Sequence, residues 1–180
     1  MFKKILITGG PGTGKTSLFN SLISDGYVGF KEISREVINS FKKKGVDQLF
    51  LTNPLLFSDL LIESRISQFN DSNKNKKENV FFDRGIPDIL AYLDFKKIQY
   101  DQRYIIACKK HRYDIVFILR PWKDIFVNDN ERYESFEESL QIDKYIYNTY
   151  KNLKYNIIEI PNMSITKRKD FVINTIKSYV

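Results

Sequence analysis

Cysteine and histidine are nearly absent from this sequence, since each occurs once in 180 residues. The single cysteine, Cys108, excludes an intramolecular disulfide framework, and one histidine, His111, leaves too few ligands for the usual zinc sites. No apolar run approaches the roughly 20 residues of a membrane-spanning helix. The apolar run after Lys4 ends before Thr8, short of the roughly 7 to 15 residues of a signal-peptide core. We therefore expect a reduced, cytoplasmic protein with no membrane partner.

Length and composition are typical of one globular domain, which we expect to span residues 1–180. Hydrophobic residues make up 42% of the chain, enough to bury a core and too many for a disordered protein. Lysine and arginine number 29 against 22 acidic residues, a net charge of +7. This charge is compatible with nucleic acid or with an anionic small ligand. Because the lysines are scattered, a solvated surface is favoured and nucleic acid is not expected as a partner. No pattern indicates an oligomeric state.

Apolar runs alternate with helical patterns along the chain. The strands are predicted at 2–8, 27–31, 80–83, 113–119 and 156–160. The helices are predicted at 15–24, 35–44, 54–70, 87–97, 101–110, 135–152 and 164–179. Parallel strands need crossover connections, so this alternation predicts a three-layer α/β/α domain with a five-stranded parallel sheet. Such a sheet binds ligands at the carboxyl ends of its strands.

The strongest motif lies between the first strand and the first helix. It is the run Gly9-Gly10-Pro11-Gly12-Thr13-Gly14-Lys15-Thr16, which fits G-x-x-x-x-G-K-[ST], the P-loop pattern. In a P-loop, backbone N–H groups and the helix N-terminus bind phosphate oxygens. Lysine reaches the outer phosphates, and the hydroxyl of the last residue binds Mg²⁺. We therefore predict ATP and Mg²⁺ as cofactors, with a nucleotide site formed by Gly10, Gly12, Thr13, Gly14, Lys15 and Thr16.

A second motif, Val80-Phe81-Phe82-Asp83-Arg84-Gly85, ends the third strand. An aspartate after three apolar residues is typical of a carboxylate that supports Mg²⁺ or accepts a proton. Remodelling and motor ATPases usually carry a second acid next, whereas this chain has Arg84, which suits an anionic or polyhydroxylated acceptor. The motif therefore favours a kinase over a motor. The chain also lacks an N-K-x-D motif after a late strand, which disfavours a Ras-like GTPase.

Two further groups of polar residues follow predicted strands. Glu32, after the second strand, is a candidate general base for an acceptor hydroxyl, and Arg35 is a candidate for orienting the acceptor. The charged segment 120–134, after the fourth strand, is interpreted as a lid in which Arg132 neutralises charge on the transferred phosphoryl group. Arg120 is a candidate for acceptor binding. The alternative for Glu32 is an acid at a helix N-terminus that interacts with the helix dipole. The alternative for Arg120 and Arg132 is a solvated position on the surface.

Together these residues resemble the NadR-like P-loop proteins, predicted ATPases with an AAA domain that are related to nicotinamide riboside kinase. The resemblance spans nearly the whole chain and rests on the P-loop, Glu32, Arg35-Glu36-Val37-Ile38, Phe82-Asp83-Arg84-Gly85-Ile86-Pro87-Asp88, Pro121-Trp122 and Asp129-Asn130-Glu131-Arg132-Tyr133-Glu134. It implies ATP binding and a nucleoside-kinase-like core, without a substrate. The chain departs from many relatives at Arg120, where they carry a small residue or proline. The missing acid after Asp83 argues against ring-forming remodelling.

The sequence thus predicts Mg²⁺-dependent transfer of the γ-phosphoryl group of ATP to a small hydroxylated acceptor, such as a nucleoside, bound beside residues 32–70. The predicted catalytic residues are Lys15, Asp83, Glu32 and Arg132. The predicted metal ligands are Thr16 and Asp83, and the predicted acceptor-binding residues are Arg35, Arg84 and Arg120. One alternative is a switch that binds ATP or GTP without an acceptor. The other is a nucleic-acid-binding ATPase, which only the net charge suggests.

Overall fold

Parallel strands form the centre of the computed structural model, which describes residues 2–43, 45–46, 48–74, 78–126 and 134–179, and only the backbone of Arg35. The strands are β1 (Lys4–Gly9), β2 (Val28–Phe30), β3 (Val80–Asp83), β4 (Ile115–Leu119) and β5 (Ile157–Ile160). Within these ranges they pair in the order β2-β3-β1-β4-β5, and every pairing is parallel. The predicted five-stranded parallel sheet is confirmed.

Helices follow the strands as the sequence predicts. They are α1 (Lys15–Ser24), α2 (Ser34–Lys42), α3 (Leu49–Thr52), α4 (Pro54–Ser72), α5 (Ile86–Phe95), α6 (Gln102–Lys110), α7 (Phe136–Asn152) and α8 (Ile165–Ser178). The side chain of Asn53 caps α4 by accepting a hydrogen bond from the Leu56 amide at 3.1 Å. Ser135 and Glu138 form a reciprocal capping box at the start of α7. These local signals fixed the beginnings of both helices.

Two of the differences from the sequence prediction have a cause that the structure shows. The short helix α3 was not predicted; its first residue, Leu49, is buried among the apolar side chains of the helical cluster around α4. Strand β4 begins at Ile115, two residues later than predicted. The amide of Tyr113 donates to the Tyr155 hydroxyl at 3.4 Å instead of joining the strand ladder. Both differences reflect contacts between segments that are distant in the sequence.

The apolar core lies on both faces of the sheet because successive strand residues point to opposite sides. On one face, Ile5, Ile7 and Phe117 pack with side chains of α1 and α8. On the other face, Leu6 and Val116 pack with side chains of α5 and α7. A third apolar cluster joins α3, α4, α5 and α6 beyond the sheet. No helix in the described part of the chain is long and apolar enough to span a bilayer.

The strand register brings the predicted site to one edge of the sheet. Ile7 of β1 pairs with Asp83 of β3, and Phe30 of β2 pairs with Phe82. The loop after β1, the end of β3 and the residues after β2 therefore lie side by side. This is the carboxyl edge, where ligands bind in open α/β sheets.

Candidate active site

The P-loop joins the end of β1 to the first turn of α1. Gly12 and Gly14 have φ angles of 71° and 84°, the left-handed region that favours glycine. A Cβ atom on Gly12 would lie 2.4 Å from Cδ2 of Phe126, so a side chain does not fit there without displacement. Gly14 is the N-cap of α1, whose first amides have no partner within the helix. The loop thus directs a helix N-terminus towards a phosphate group.

Side chains of α7 and α8 contact the backbone of the P-loop. The Ser139 hydroxyl donates to the carbonyl oxygen of Pro11 at 2.7 Å. Asp143 packs against Gly10, where a Cβ atom would lie 3.4 Å from Cβ of Asp143. The Arg168 guanidinium donates to the carbonyl oxygen of Thr13 at 2.9 Å. None of these three side chains was predicted, because each lies more than a hundred residues from its loop partner, and no local pattern marks them.

Lys15 is buried and turned onto its own loop. Its ammonium group donates to the Gly10 carbonyl oxygen at 2.6 Å and lies 3.3 Å from the Thr13 hydroxyl. Burial and the nearby Arg84 cation together lower the pKa of Lys15 to about 7, against the opposing effect of the Asp83 and Glu32 carboxylates. The protein free of nucleotide therefore holds this lysine only partly protonated at neutral pH.

Thr16 and Asp83 meet beside the P-loop as predicted for metal ligands. The Thr16 hydroxyl donates to Oδ2 of Asp83 at 3.2 Å. Oδ1 of Asp83 is buried and has no hydrogen-bond partner. Burial raises the pKa of Asp83. A buried carboxylate oxygen without a partner, next to a hydroxyl, fits the oxygen ligands that Mg²⁺ prefers. The described residues offer no cluster of three or more His, Cys, Asp or Glu side chains that could hold a metal ion.

Glu32 and Arg84 form the centre of the second half of the site. Nε of Arg84 lies 2.9 Å from Oε1 of Glu32. Arg84 has a φ angle of 71°, and its Nη1 donates to the Gly9 carbonyl oxygen at 3.3 Å. Burial alone would raise the pKa of Glu32, but the cations of Arg84 and Arg65 outweigh it and hold that pKa at about 2. Glu32 is therefore an anion at any physiological pH.

Asp88, on the first turn of α5, connects this ion pair to the rest of the fold. Its carboxylate accepts hydrogen bonds from the Thr8 hydroxyl at 2.5 Å, the Tyr150 hydroxyl at 2.6 Å and the Gly85 amide at 2.8 Å. It also lies 3.6 Å from Nη1 of Arg84. Three elements, β1, α5 and α7, thus fix one carboxylate against the arginine. Asp88 belongs to the motif after β3, but it was not predicted as a site residue.

One cavity of about 490 Å³ joins the P-loop to the Glu32–Arg84 pair. Its volume lies within the range of roughly 300 to 1,000 Å³ that small-molecule sites occupy. The apolar side chains that line it include Ile38, Phe50, Phe57, Leu61, Ile89 and Tyr92. Arg65 of α4 also lines it; this side chain is 3% exposed, and its Nη2 lies 3.7 Å from Glu32. An arginine in an otherwise apolar helix face was the signal that could have identified it.

Comparison with known proteins agrees with this architecture. A family model described as an AAA domain matches residues 4–168. The chain belongs to this AAA domain family. No curated protein matches its sequence.

Several solved structures share the fold of this AAA domain. Deoxyadenosine kinase from M. mycoides, with the products dCMP and dCDP bound, has a TM-score of 0.71 at 19% identity, covering 97% of this chain and 99% of that one. Thymidylate kinase from Candida albicans has a TM-score of 0.71 at 14% identity, with 99% and 92% covered. Thymidylate kinase from Ehrlichia chaffeensis has a TM-score of 0.63 at 21% identity, with 97% and 98% covered. The predicted α/β P-loop fold is thereby confirmed.

The predicted site residues of the AAA domain divide into three groups. Gly12, Thr13, Gly14, Lys15 and Thr16 of the P-loop line the common cavity together with Glu32 and Arg84. Gly10 is not among its described lining residues, and Asp83 lies beside Thr16. Arg120, predicted to bind the acceptor, is not among the described residues that line the cavity. Instead it pairs with Asp143 at 3.1 Å and with Glu159 at 3.9 Å, because these carboxylates flank the end of β4. Arg132 and the side chain of Arg35 lie outside the described residues.

Trp122 lies near the start of the segment 120–134, which was interpreted as a lid. The indole packs against the guanidinium of Arg168, whose carbon lies 5.2 Å from a ring centroid. Its Nε1 donates to Asp124 at 3.0 Å. These contacts hold the indole against α8 and against the residues that follow Trp122. Residues 127–133 of the segment lie outside the described residues, so the lid stays a prediction.

Proposed function

We propose that this AAA domain protein is a Mg²⁺-dependent kinase that transfers the γ-phosphoryl group of ATP to a hydroxyl group of a small, nucleoside-like acceptor. The observation that carries the proposal is the single cavity that joins the P-loop to the Glu32–Arg84 ion pair. A phosphate-binding loop alone serves kinases, switches and motors alike. A half-buried carboxylate and guanidinium across the cavity supply what an acceptor hydroxyl needs. The neighbour of Asp83 is Arg84, so the second acid that activates water in motor ATPases is absent from that position.

The P-loop half of the cavity would bind the triphosphate. The amides at the start of α1 and the ammonium of Lys15 stabilise the negative charge of the phosphates. Thr16 and Asp83 would hold Mg²⁺, which supplies positive charge between the outer phosphate groups. The segment 120–134 is proposed to close over ATP and exclude water, with Arg132 neutralising the transferred group.

The Glu32 half would orient and deprotonate the acceptor. The ionised carboxylate accepts a hydrogen bond from the hydroxyl that attacks the γ-phosphorus, and Arg84 keeps that carboxylate in place. With a pKa of about 2, Glu32 is a weak base, so it takes the proton late, as the new P–O bond forms and ADP leaves. A loose transition state depends little on a general base and mainly on the alignment of the acceptor hydroxyl with the γ-phosphorus. Arg35 is proposed to orient the acceptor beside it.

The ionised carboxylate of Glu32 also suits a hydroxyl acceptor, because it can accept a hydrogen bond from a hydroxyl group. The aromatic side chains Phe50, Phe57 and Tyr92 in the cavity suit a flat heterocycle. The sequence resemblance to proteins related to nicotinamide riboside kinase supports the same acceptor class. We place this reaction in the cytoplasm, where ATP is the phosphoryl donor.

A panel of nucleosides and nucleotides tests the proposal. ADP formation from ATP and Mg²⁺ is measured with each acceptor and without any. We expect ADP formation to depend on a nucleoside-like acceptor, and E32Q to lower that rate about 100-fold. E63Q, which changes an exposed glutamate on α4, serves as the matched control and should keep the wild-type rate. Acceptor-independent hydrolysis across the whole panel would contradict the proposal, and tight nucleotide binding without turnover would favour a switch.

A further inference from the structure

Arg168 is a buried arginine of α8 that no motif of the sequence includes. Its side chain is 2% exposed. Nη1 donates to the carbonyl oxygen of Thr13 at 2.9 Å, across 155 residues of sequence. Its guanidinium also packs against the indole of Trp122, at 5.2 Å from a ring centroid. The C-terminal helix thus places a cation directly against the P-loop.

The charge of Arg168 is not balanced by an acidic group. No carboxylate in the part of the chain that the structure describes lies within ion-pair distance of its guanidinium, although Arg65, Arg84 and Arg120 each have one. Nε of Arg168 is buried and has no hydrogen-bond partner. Burial lowers the pKa of Arg168 without an opposing cause. Holding an unpaired cation in the interior costs folding free energy, so the free protein is destabilised at this position.

The guanidinium lies where bound phosphates would offset that cost. A Cβ atom on Gly14 would be 3.0 Å from Nη1 of Arg168, so the cation touches the residue that begins the phosphate-binding turn. Phosphates held by the amides after Gly14 would lie on the cavity side of the same short loop. A cation behind the loop stabilises an anion in front of it, because the interior between them screens charge poorly.

We propose that Arg168 is a positioning residue for the nucleotide: it fixes the Thr13–Gly14 turn, and its unbalanced positive charge stabilises the bound phosphates through the loop. This inference rests on the proposed ATP binding. It assigns a nucleotide-binding contribution to the C-terminal helix, outside the P-loop and the metal-binding aspartate. It also requires that Arg168 lowers the stability of the free protein and raises its affinity for the nucleotide.

The test compares R168Q, which removes the charge and keeps an N–H donor, with R168K, which keeps the charge. ADP affinity is measured by calorimetry, and the unfolding temperature is measured without nucleotide. We expect R168Q to bind ADP about tenfold more weakly while its unfolding temperature is equal to or higher than that of the wild type. R168K should keep ADP affinity within about threefold.

A purely structural role predicts different results. Arg168 would then support the fold, and R168Q would lose stability and affinity together or fail to fold. That outcome overturns the inference, as does wild-type ADP affinity in R168Q or an equal loss in R168K. If the wild-type protein itself binds no ADP, the proposed function fails, which the same titration distinguishes from failure of the inference.

Discussion

Nε of Arg84 and Oε1 of Glu32 lie 2.9 Å apart at the centre of the cavity, on segments that are 52 residues apart in the chain. The pair sets the charge state of the acceptor side of the site, because Arg84 and Arg65 keep Glu32 ionised. Glu32 in turn balances two buried cations. The same contact therefore serves stability and the proposed chemistry, and the two contributions can be measured separately.

Replacing Glu32 should destabilise the folded protein. In E32Q, Arg84 and Arg65 lose their shared carboxylate, so we expect the free energy of unfolding at pH 7 to fall by about 3 kcal/mol. The pKa of Glu32 is about 2 in the folded protein and has an ordinary value of 4.5, so its contribution is complete above pH 4.5 and is lost as the pH falls towards 2. Urea unfolding should show the difference from wild type narrowing over that interval. A difference that is constant with pH would contradict the ionised pair.

Nucleotide binding should take up a proton at alkaline pH. Lys15 has a pKa of about 7 in the free protein, and a bound triphosphate raises it. Above pH 7 the lysine must gain a proton on binding, so nucleotide affinity falls as the pH rises. Below pH 7 the lysine is already protonated and affinity is independent of this group. Calorimetry at pH 8 in two buffers of different ionisation enthalpy measures the uptake, which K15A should abolish; equal heats in both buffers would contradict the assignment.

Asp88 should be important for stability, because its buried carboxylate accepts three hydrogen bonds. In Y150F a buried carboxylate loses one of its three hydrogen bonds, and we expect a loss of about 2 kcal/mol in the free energy of unfolding. Y145F, on the same helix, removes a hydroxyl that has no hydrogen bond among the described residues and should change stability by less than about 0.5 kcal/mol. Chemical denaturation measures both variants. Equal effects would show that the Tyr150–Asp88 contact contributes nothing specific.

Two glycines of positive φ should respond differently to alanine. Gly12 has a φ of 71° and a Cβ there would meet Phe126, whereas Gly26 has a φ of 92° and no atom within 4 Å of such a Cβ. Both substitutions strain the backbone by about 1 kcal/mol. Only G12A also deforms the P-loop, so only G12A should lose nucleotide affinity. Titration with ADP and thermal unfolding separate the two effects; loss of binding in G26A would point to global destabilisation instead.

The parts of the site that could be predicted are those whose signals are local. Lys15, Thr16 and Asp83 follow from motifs in which strand, loop and helix are consecutive. Arg65 and Asp88 act on the site through contacts with Glu32, Arg84 and Thr8, which only the folded sheet brings together.

The P-loop shows the same limit of local sequence signals. Its sequence predicted the nucleotide site but not the side chains that hold it. Ser139 and Pro11 are 128 residues apart, and their contact depends on how α7 packs on the sheet. Arg120 follows the end of a strand, but its guanidinium pairs with the carboxylates of Asp143 and Glu159, and it is not among the described residues that line the cavity.

Phosphorus NMR of a reaction mixture tests the central claim most directly. The protein is incubated with ATP, Mg²⁺ and a mixture of nucleosides, and the fate of the γ-phosphoryl group is followed. Transfer to a hydroxyl predicts a new phosphate monoester resonance that grows in step with ADP and grows about 100-fold more slowly with E32Q. ADP accompanied only by inorganic phosphate, or no ADP at all, would contradict a kinase that uses Glu32 and Arg84 to bind a hydroxyl acceptor.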